Sequence, residues 1–374
     1  MTLSLKLLPV KHPLLGAISL LLIGSFILPQ QVYAQASQLN QAQSSPSNDD
    51  RLNDLLEQGR ETVEAGNLAD AIPLYEEAAR LQPDNARIFS ALGFLQARQN
   101  NYQAAVDAYQ KAIELDASNG DFYYALGFSK ANLGDNEGAA DAYRRATELN
   151  RNSVEAYLGL GVVLARQGDY EGAIAAYQQV LASRPNDARL YEFIGAAHVQ
   201  EEQYPAAIEA LQKAAQLDPR RGSIYLNLGV ALLNSGDTAG GMSAFEKAAQ
   251  LDPRNGLVHL QIGDILRSQG DEDQAIRQYE RALSVQPDLT EARATLGEIY
   301  LKREDYVRAI VEYRELIKLA PEDADAFFNL GNALVGRDRK PEAIAAYQSA
   351  LNLYQQQNNS DGIAKTENAL KDLQ

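Results

Sequence analysis

A glycine recurs every 34 residues along most of this chain. The nine positions are Gly59, Gly93, Gly127, Gly161, Gly195, Gly229, Gly263, Gly297 and Gly331. Twelve residues after each of them lies an alanine or a glycine, and sixteen residues after each lies a tyrosine, a phenylalanine or, once, a leucine. A fixed period of this length indicates one supersecondary unit repeated in tandem. The sequence therefore predicts nine repeats over residues 52–357.

Each repeat reads as two helices joined by a turn. In residues 154–187 the apolar positions recur at helical spacing on both sides of Gly168 and Asp169. Glycine takes the left-handed conformation that ends a helix, and a following Asp or Asn accepts hydrogen bonds from the first amides of the next helix. Five repeats carry this pair, beginning at Gly66, Gly134, Gly168, Gly236 and Gly270. A proline such as Pro185 then stands where the second helix must stop.

The small and large residues of the fourth repeat match a known pattern. They are Tyr157, Leu160, Gly161, Ala173, Tyr177 and Pro185. With these residues the chain resembles the tetratricopeptide-repeat (TPR) family. The resemblance implies an all-α fold, a right-handed superhelical α-solenoid of nine 34-residue helix-turn-helix repeats. An amphipathic stretch at residues 358–374, with Ile363, Leu370 and Leu373, is predicted to form a C-terminal capping helix.

The first 34 residues have the features of a secretory signal peptide. Lys6, Lys11 and His12 precede an apolar run over residues 14–28, and Ala34 ends a segment that suits signal peptidase. Cleavage after Ala34 and cleavage after Ala36 both fit. An uncleaved anchor is the alternative, but the run is about 15 residues long and a bilayer needs about 20. We expect export to the periplasm, with the thylakoid lumen or secretion as alternatives. Residues 35–51, rich in Gln and Ser, are predicted to be a disordered linker.

The net charge and the low content of cysteine and histidine limit the ligands that the protein can bind. The formal net charge is −16, and without Lys6 and Lys11 it becomes −18, from 32 basic and 50 acidic residues. Such a surface repels nucleic acid and anionic lipid, so we expect neither nucleic-acid binding nor membrane insertion after signal cleavage. The chain has no cysteine, and beyond the signal segment its histidines are His198 and His259, both at positions that pack between helices. A tetrahedral zinc site therefore lacks ligands.

No catalytic motif is present. Walker, Gly-x-Ser-x-Gly and His-Glu-x-x-His patterns are all missing from the sequence, so we predict a protein that is not an enzyme and has no resident cofactor. Acidic turns such as residues 271–273 and 322–323 suit calcium or manganese by ligand type. The same residues suit helix N-terminal caps, which is the interpretation we favour.

The resemblance also locates a candidate binding surface. In TPR proteins the first helix of each repeat lines a concave groove, which here exposes the residues three before, two before, one after and five after each repeat glycine. Asn227 and Asn329 lie two residues before their glycines, where TPR proteins use asparagine to bind the main chain of a peptide. The predicted partner-binding residues are Phe94, Tyr124, Phe128, Leu158, Val162, Phe193, Asn227, Val230, Asn329 and Asn332. The alternative is that the apolar members pack against neighbouring helices.

These expectations combine into one hypothesis. The chain is predicted to be a non-catalytic scaffold or assembly factor of the cell envelope that clasps a segment of a partner protein in the concave groove. We expect a monomer, because the capping helix covers the last repeat. The layout of a signal peptide followed by nine repeats is also similar to the cyanobacterial processing-associated TPR factors of photosystem II biogenesis, and this resemblance implies binding of the D1 protein and delivery of manganese. A third hypothesis is an accessory subunit that presents an envelope enzyme to its substrate.

Overall fold

A computed structural model describes residues 46–373 as nineteen α-helices, with no strand in that range. In chain order the helices are α1 (Pro46–Glu64), α2 (Leu68–Leu81), α3 (Ala86–Arg98), α4 (Tyr102–Leu115), α5 (Gly120–Asn132), α6 (Asn136–Leu149), α7 (Val154–Gln167), α8 (Tyr170–Ser183), α9 (Ala188–Gln200), α10 (Tyr204–Leu217), α11 (Gly222–Asn234), α12 (Thr238–Leu251), α13 (Gly256–Ser268), α14 (Glu272–Val285), α15 (Thr290–Lys302), α16 (Tyr306–Leu319), α17 (Ala324–Gly336), α18 (Lys340–Gln356) and α19 (Ser360–Lys371).

The chain divides into two compact units. Unit 1 runs to Leu217 and holds α1–α10, while unit 2 begins at Asp218 and holds α11–α19. Each odd-numbered helix up to α17 packs against the even-numbered helix that follows it, and that pair then packs against the next repeat within its unit. The nine helix-turn-helix repeats are thus present, five in unit 1 and four in unit 2. Among the described helices, none combines the length and the apolar character that a bilayer span requires.

The turn inside every repeat has the same backbone conformation. The seventh residue after each repeat glycine has a positive φ, between 56° and 94°. Five of these residues are the predicted glycines, and the other four are Asn100, Glu202, Glu304 and Asp338. The next residue then caps the second helix through its side chain in the repeats that carry Asp135, Asp169, Asp237, Asp271 and Asp305.

Asn67 is an exception to the predicted capping. Its side chain makes no cap hydrogen bond. The amide of Asp70 instead donates to the Asn67 carbonyl oxygen at 3.1 Å, so the first turn of α2 bonds to the main chain. The expectation that each glycine is followed by a side-chain cap is therefore wrong at this turn.

A ring packed on a glycine forms the centre of eight of the nine repeats, and Leu211 takes the place of the ring in the fifth. A Cβ atom on Gly93 would lie 2.8 Å from Cε1 of Tyr109, and one on Gly263 would lie 2.7 Å from Cε1 of Tyr279. Real side-chain contacts are never this close, so the glycine makes room for the ring of the second helix. The small residue twelve positions after the glycine is fully buried, as at Ala105. The predicted alternation of small and large residues thus builds a continuous core within each unit.

The two ends of the repeat array differ from the prediction in one respect. Helix α1 begins at Pro46, so the predicted disorder of residues 35–51 is wrong for residues 46–51. Asp49 lies in its first turn, where a negative charge interacts favourably with the helix dipole. Arg51 pairs with Glu77 of α2. The predicted signal peptide at 1–34 and the remainder of the linker lie outside the described residues. At the other end, Ile363 and Leu370 of α19, and Leu373 just after it, pack against the core of unit 2.

Candidate interaction surface on the first-helix side

The first helices of successive repeats lie side by side. Helix α3 contacts α5, α5 contacts α7, and in unit 2 α15 contacts α17. No pair of second helices among those described is in contact to the same extent. Because the helices are closer together on the first-helix side, this side is the concave one within each unit. We call it the inner face, and the side formed by the second helices the outer face.

Three of the predicted binding residues are core residues instead. Tyr124, Val162 and Val230 are only 2%, 4% and 5% exposed. They belong to the first helices but point between neighbouring helices, as the ring of Tyr124 does with its centroid 5.9 Å from that of Tyr143. For these three the prediction of a partner contact is wrong, and the packing alternative holds.

The remaining predicted residues are half-buried. They are Phe94, Phe128, Leu158, Phe193, Asn227, Asn329 and Asn332. A half-buried side chain both packs against its own chain and presents surface to a partner. The structure therefore leaves these seven as candidate contacts, with the apolar ones in unit 1 and the asparagines in unit 2.

Two of the apolar candidates of unit 1 pack against other rings. The centroids of Phe128 and Tyr102 are 6.3 Å apart with the planes at 65°, an edge-to-face contact. Phe193 lies 5.4 Å from Tyr177 at 42°. Phe94 packs, like Phe128, on the core cluster of the second and third repeats. Because these rings are already ordered, a partner that covers them loses little conformational freedom from this side of the interface.

Buried hydroxyl groups without a hydrogen-bond partner lie beneath the same surface. They belong to Ser90, Tyr109 and Tyr124. Ser90 precedes Phe94 by one helical turn and Tyr124 precedes Phe128 by one turn. Burial raises the pKa of the Tyr109 and Tyr124 hydroxyls far above its ordinary value, and the proximity of the two adds to the effect for Tyr109. These hydroxyls could not be recognised from the sequence, because a Ser or Tyr in a helix gives no sign of whether its hydroxyl has a partner.

Several polar side chains on the inner face of unit 2 are bonded to one another. The hydroxyl of Tyr279 donates to Asp264 Oδ1 at 2.7 Å, and Arg267 pairs with Glu298 at 2.8 Å. The Tyr347 hydroxyl donates to Asn332 Oδ1 at 2.7 Å. Asn332 in turn donates to Asn329 Oδ1 at 3.4 Å. Two of the predicted partner-binding asparagines, Asn329 and Asn332, are therefore already bonded to side chains of the chain itself.

The histidines and the acidic turns have structural partners. His259 is buried, with Nδ1 2.9 Å from Gln278 Oε1 and Nε2 3.4 Å from the carbonyl oxygen of Pro253. The Asp271 side chain accepts from the amide of Gln274, as expected for a helix cap. Hydrogen bonds from Arg303 lower the pKa of Glu272 and Asp273. Within the described part of the chain, no three His, Asp or Glu side chains are grouped as metal ligands would be.

Stacked pairs of helices, in which a ring or once a leucine packs on a glycine, define an α-solenoid of the kind that serves as a scaffold for protein–protein interaction. Family models described as tetratricopeptide repeat match residues 56–121, 124–188, 222–255 and 325–356. A model described as TPR repeat matches residues 195–236, 263–303 and 297–336. Together these matches extend with short gaps from residue 56 to residue 356. The chain belongs to the tetratricopeptide-repeat family.

Comparison with solved structures gives partial overlaps. MamA from Desulfovibrio magneticus RS-1 is 27% identical, covers 45% of this chain and 95% of its own, and has a TM-score of 0.43. A protein described as pilF of Pseudomonas aeruginosa is 25% identical, covers 55% of this chain and 93% of its own, and has a TM-score of 0.47. YrrB, described as a TPR protein with an unusual peptide-binding site, is 21% identical, covers 49% of this chain and 95% of its own, and has a TM-score of 0.46. No curated protein matches the chain.

Proposed function

We propose that this protein is a non-catalytic scaffold that binds an apolar segment of a partner protein on the inner face of unit 1. The observation that carries the proposal is a set of half-buried apolar side chains there that pack on the core clusters, namely Phe94, Phe128, Leu158 and Phe193. Aromatic side chains of this kind contribute strongly to protein interfaces, because they bury a large area with few rotatable bonds. The predicted contact residues left in unit 2 are asparagines by contrast, so the proposed apolar contact is placed on unit 1.

Site-specific photocrosslinking tests this proposal. A benzoylphenylalanine placed at Phe128 samples the inner face of the third repeat, and one placed at Asp141 samples the exposed outer face of the same repeat. In the native host we expect a discrete crosslinked protein from position 128 and none from position 141. A double substitution, Phe94→Ser with Phe193→Ser, removes two further rings and is expected to abolish the crosslink at 128. Crosslinking from position 141 alone would show that the partner binds elsewhere.

The proposed location is the periplasm, reached by export. The support is the basic, apolar and small-residue order of residues 1–34. N-terminal sequencing of the protein recovered from the periplasm tests it. The expected first residue is Gln35 or Ser37, and recovery of the intact N-terminus in a membrane fraction would instead indicate an anchor.

Two narrower functions rest on the layout of an exported, acidic repeat protein. One is photosystem II biogenesis, with the D1 protein as the partner and manganese as the cargo. The other is presentation of an envelope enzyme to its substrate. Calorimetric titration with Mn²⁺ tests the first, and enzyme activity that co-purifies with the wild type but not with the Phe94 and Phe193 variant tests the second.

A further inference from the structure

One helix of unit 2 exposes valines on the outer face. Val307 and Val311 of α16 are 54% and 52% exposed. Arg314 and Lys318 follow them at helical spacing, with side chains 47% and 68% exposed. Residues spaced by four, three and four positions lie on one side of a helix. The four side chains therefore form a stripe about 16 Å long, apolar at its start and basic at its end.

The other repeats show that this stripe is unusual for the fold. At the repeat position of Val311 they carry Pro73, Asp107, Asp141, Ala175, Glu209, Ser243, Arg277 and Ala345. At the position of Val307 they carry Ala69, Gln103, Glu137, Glu171, Pro205, Ala239, Asp273 and Pro341. All of these residues are exposed, and none is β-branched or aromatic. Valine is also a poorer helix former than alanine, by up to about 0.7 kcal/mol, so helix stability does not explain the two valines.

The stripe borders a cleft in unit 2. Its volume is about 460 Å³, and its lining includes Val311, Arg314 and Lys318 of α16 with Phe327 and Leu330 of α17. Arg314 also reaches Glu342 of α18 at 2.9 Å. The cleft therefore has apolar side chains from α17 on one side and, at the edge made by α16, the two cations Arg314 and Lys318 together with the carboxylate of Glu315.

The positive charge at this edge is not fully matched. Glu342 is already bound by Arg339, whose Nε and Nη2 donate to its two carboxylate oxygens at 2.7 Å each. Arg314 thus adds a second cation to one carboxylate. Lys318 pairs with Glu315 three residues earlier on the same exposed surface, and surface pairs of this kind exchange readily for other partners. A basic edge of this sort is unusual in a chain with a net charge of −16.

We propose that this outer cleft docks an amphipathic helix of a partner protein that carries Asp or Glu next to its apolar stripe. The carboxylates pair with Arg314 and Lys318, and the apolar side chains cover Val307, Val311 and Phe327. The occupant is a helix because the receptor stripe is itself linear and a parallel helix meets it at matching intervals. This site does not depend on the inner face of unit 1, so the chain has docking surfaces for two different segments.

A designed peptide tests the proposal. The probe is a fluorescein-labelled peptide of about 18 residues, long enough to form a helix, with two Glu and two Leu spaced by four, three and four positions. We expect residues 35–374 to bind it, to bind less as salt rises, and not to bind the same peptide with Lys in place of Glu. The double substitution Val307→Glu with Val311→Asp introduces the residues found at the third repeat and is expected to weaken binding by at least about tenfold.

The matched control adds the same charge elsewhere on the outer face of unit 2. Ala239→Glu with Ser243→Asp changes the equivalent positions of α12 and is expected to leave the affinity unchanged. Equal losses in the two variants, failure of the wild type to bind the acidic peptide, or equal binding of the Lys peptide would each overturn the proposal. So would binding to phosphatidylglycerol vesicles that the Val307 and Val311 variant loses, because the surface would then serve a membrane. If circular dichroism shows that this variant is unfolded, Val311→Ala with Lys318→Gln replaces it, and undiminished binding by that pair would be equally contrary.

Discussion

At the scale of single residues, tyrosines at one repeat position have different surroundings. Tyr109 and Tyr279 each lie sixteen residues after a repeat glycine and each packs on that glycine. The hydroxyl of Tyr279 donates to Asp264, whereas that of Tyr109 has no hydrogen-bond partner. A buried hydroxyl that gains no hydrogen bond costs folding free energy.

This difference predicts opposite effects for one chemical change. Tyr109→Phe removes an unbonded hydroxyl and is expected to leave the free energy of unfolding unchanged or to raise it by up to about 1 kcal/mol. Tyr279→Phe removes a hydrogen bond to a carboxylate and is expected to lower it by about 1–2 kcal/mol. Urea unfolding followed by circular dichroism measures both. A loss at Tyr109 as large as that at Tyr279 would mean that the Tyr109 hydroxyl is bonded in solution.

A second residue-scale prediction concerns the ion pair between α15 and α16. Arg293 Nη1 lies 3.0 Å from Glu312 Oε2, and the side chains are only 14% and 17% exposed. Arg293→Met leaves the Glu312 carboxylate without its cation. We expect a loss of about 2 kcal/mol at neutral pH, less than for a fully buried pair. Adding Glu312→Gln to the same variant is expected to recover part of the loss in urea unfolding.

The pH dependence of that loss follows from the pKa of Glu312. Burial raises this pKa, and Arg293 counteracts the rise. Without Arg293 the folded-state pKa rises further above the unfolded value, which is about 4.3. Between those two values the folded state binds more protons, so the stability of Arg293→Met increases as pH falls through that window. Its deficit relative to the wild type should therefore shrink between pH 7 and pH 4.5, and a constant deficit would contradict this account.

At the scale of the helical elements, each repeat has a residue in the left-handed conformation at the turn between its two helices. Gly270 and Glu304 occupy the same repeat position in unit 2, with φ of 84° and 57°. A residue with a Cβ atom pays about 1 kcal/mol or more in this conformation, whereas glycine does not.

Glu304→Gly is therefore expected to raise the free energy of unfolding of unit 2 by about 0.5–1 kcal/mol, and with it the midpoint temperature of thermal unfolding. Gly270→Ala provides the matched reverse change. No atom lies within 4 Å of a Cβ atom at Gly270, so its cost reports backbone conformation alone. Thermal unfolding followed by calorimetry measures both, and a destabilising Glu304→Gly would show that the Glu304 side chain makes an important contact.

The same element shows how far the sequence predicts the fold. Glycine marks the turn at five repeats, but Asn100, Glu202, Glu304 and Asp338 take the identical conformation without that signal. Their conformation follows from the two flanking helices, whose packing is set by the period. The period thus predicts the turns that local residue preferences miss.

The candidate site is less predictable, because exposure depends on neighbouring side chains. Tyr124 and Phe128 lie one turn apart on α5, yet the first is buried and the second half-buried. Gly127 admits the ring of Tyr143, and that ring packs against Tyr124. Spacing from the repeat glycine placed both residues in the groove and contained no information on this packing. The outer stripe of α16 was missed for a related reason. The valines depart from the residues of the other repeats at these positions, but only the structure shows that they are exposed.

At the scale of the whole molecule, stability is shared between adjacent repeats. Helix α19 closes unit 2: Ile363 packs beside Tyr354, and Lys365 pairs with Asp325 at 2.8 Å while lying 4.6 Å from the ring centroid of Phe328. In a repeat array each repeat contacts only its neighbours, so the loss of the capping helix mainly destabilises the repeat next to it.

Deletion of residues 358–374 is expected to accelerate amide hydrogen exchange most in α17 and α18, less in α15 and α16, and least in α11 and α12. Hydrogen-exchange mass spectrometry resolves these helices. Leu373→Ala, which shortens one contact of the same cap, should give a smaller change in the same order. Uniform acceleration across unit 2 would show instead that its four repeats open as one block.

The common turn conformation has an evolutionary consequence. Because every repeat bends through a left-handed residue at one fixed position, recombination between any two turns joins helices that already fit each other. The number of repeats can then change by whole repeats without any new turn sequence. Phe128 of the third repeat packs on Tyr102 of the second, and the cleft beside Val311 is completed by Phe327 of the ninth repeat. Either proposed surface would therefore be duplicated or lost intact only when two adjacent repeats change together.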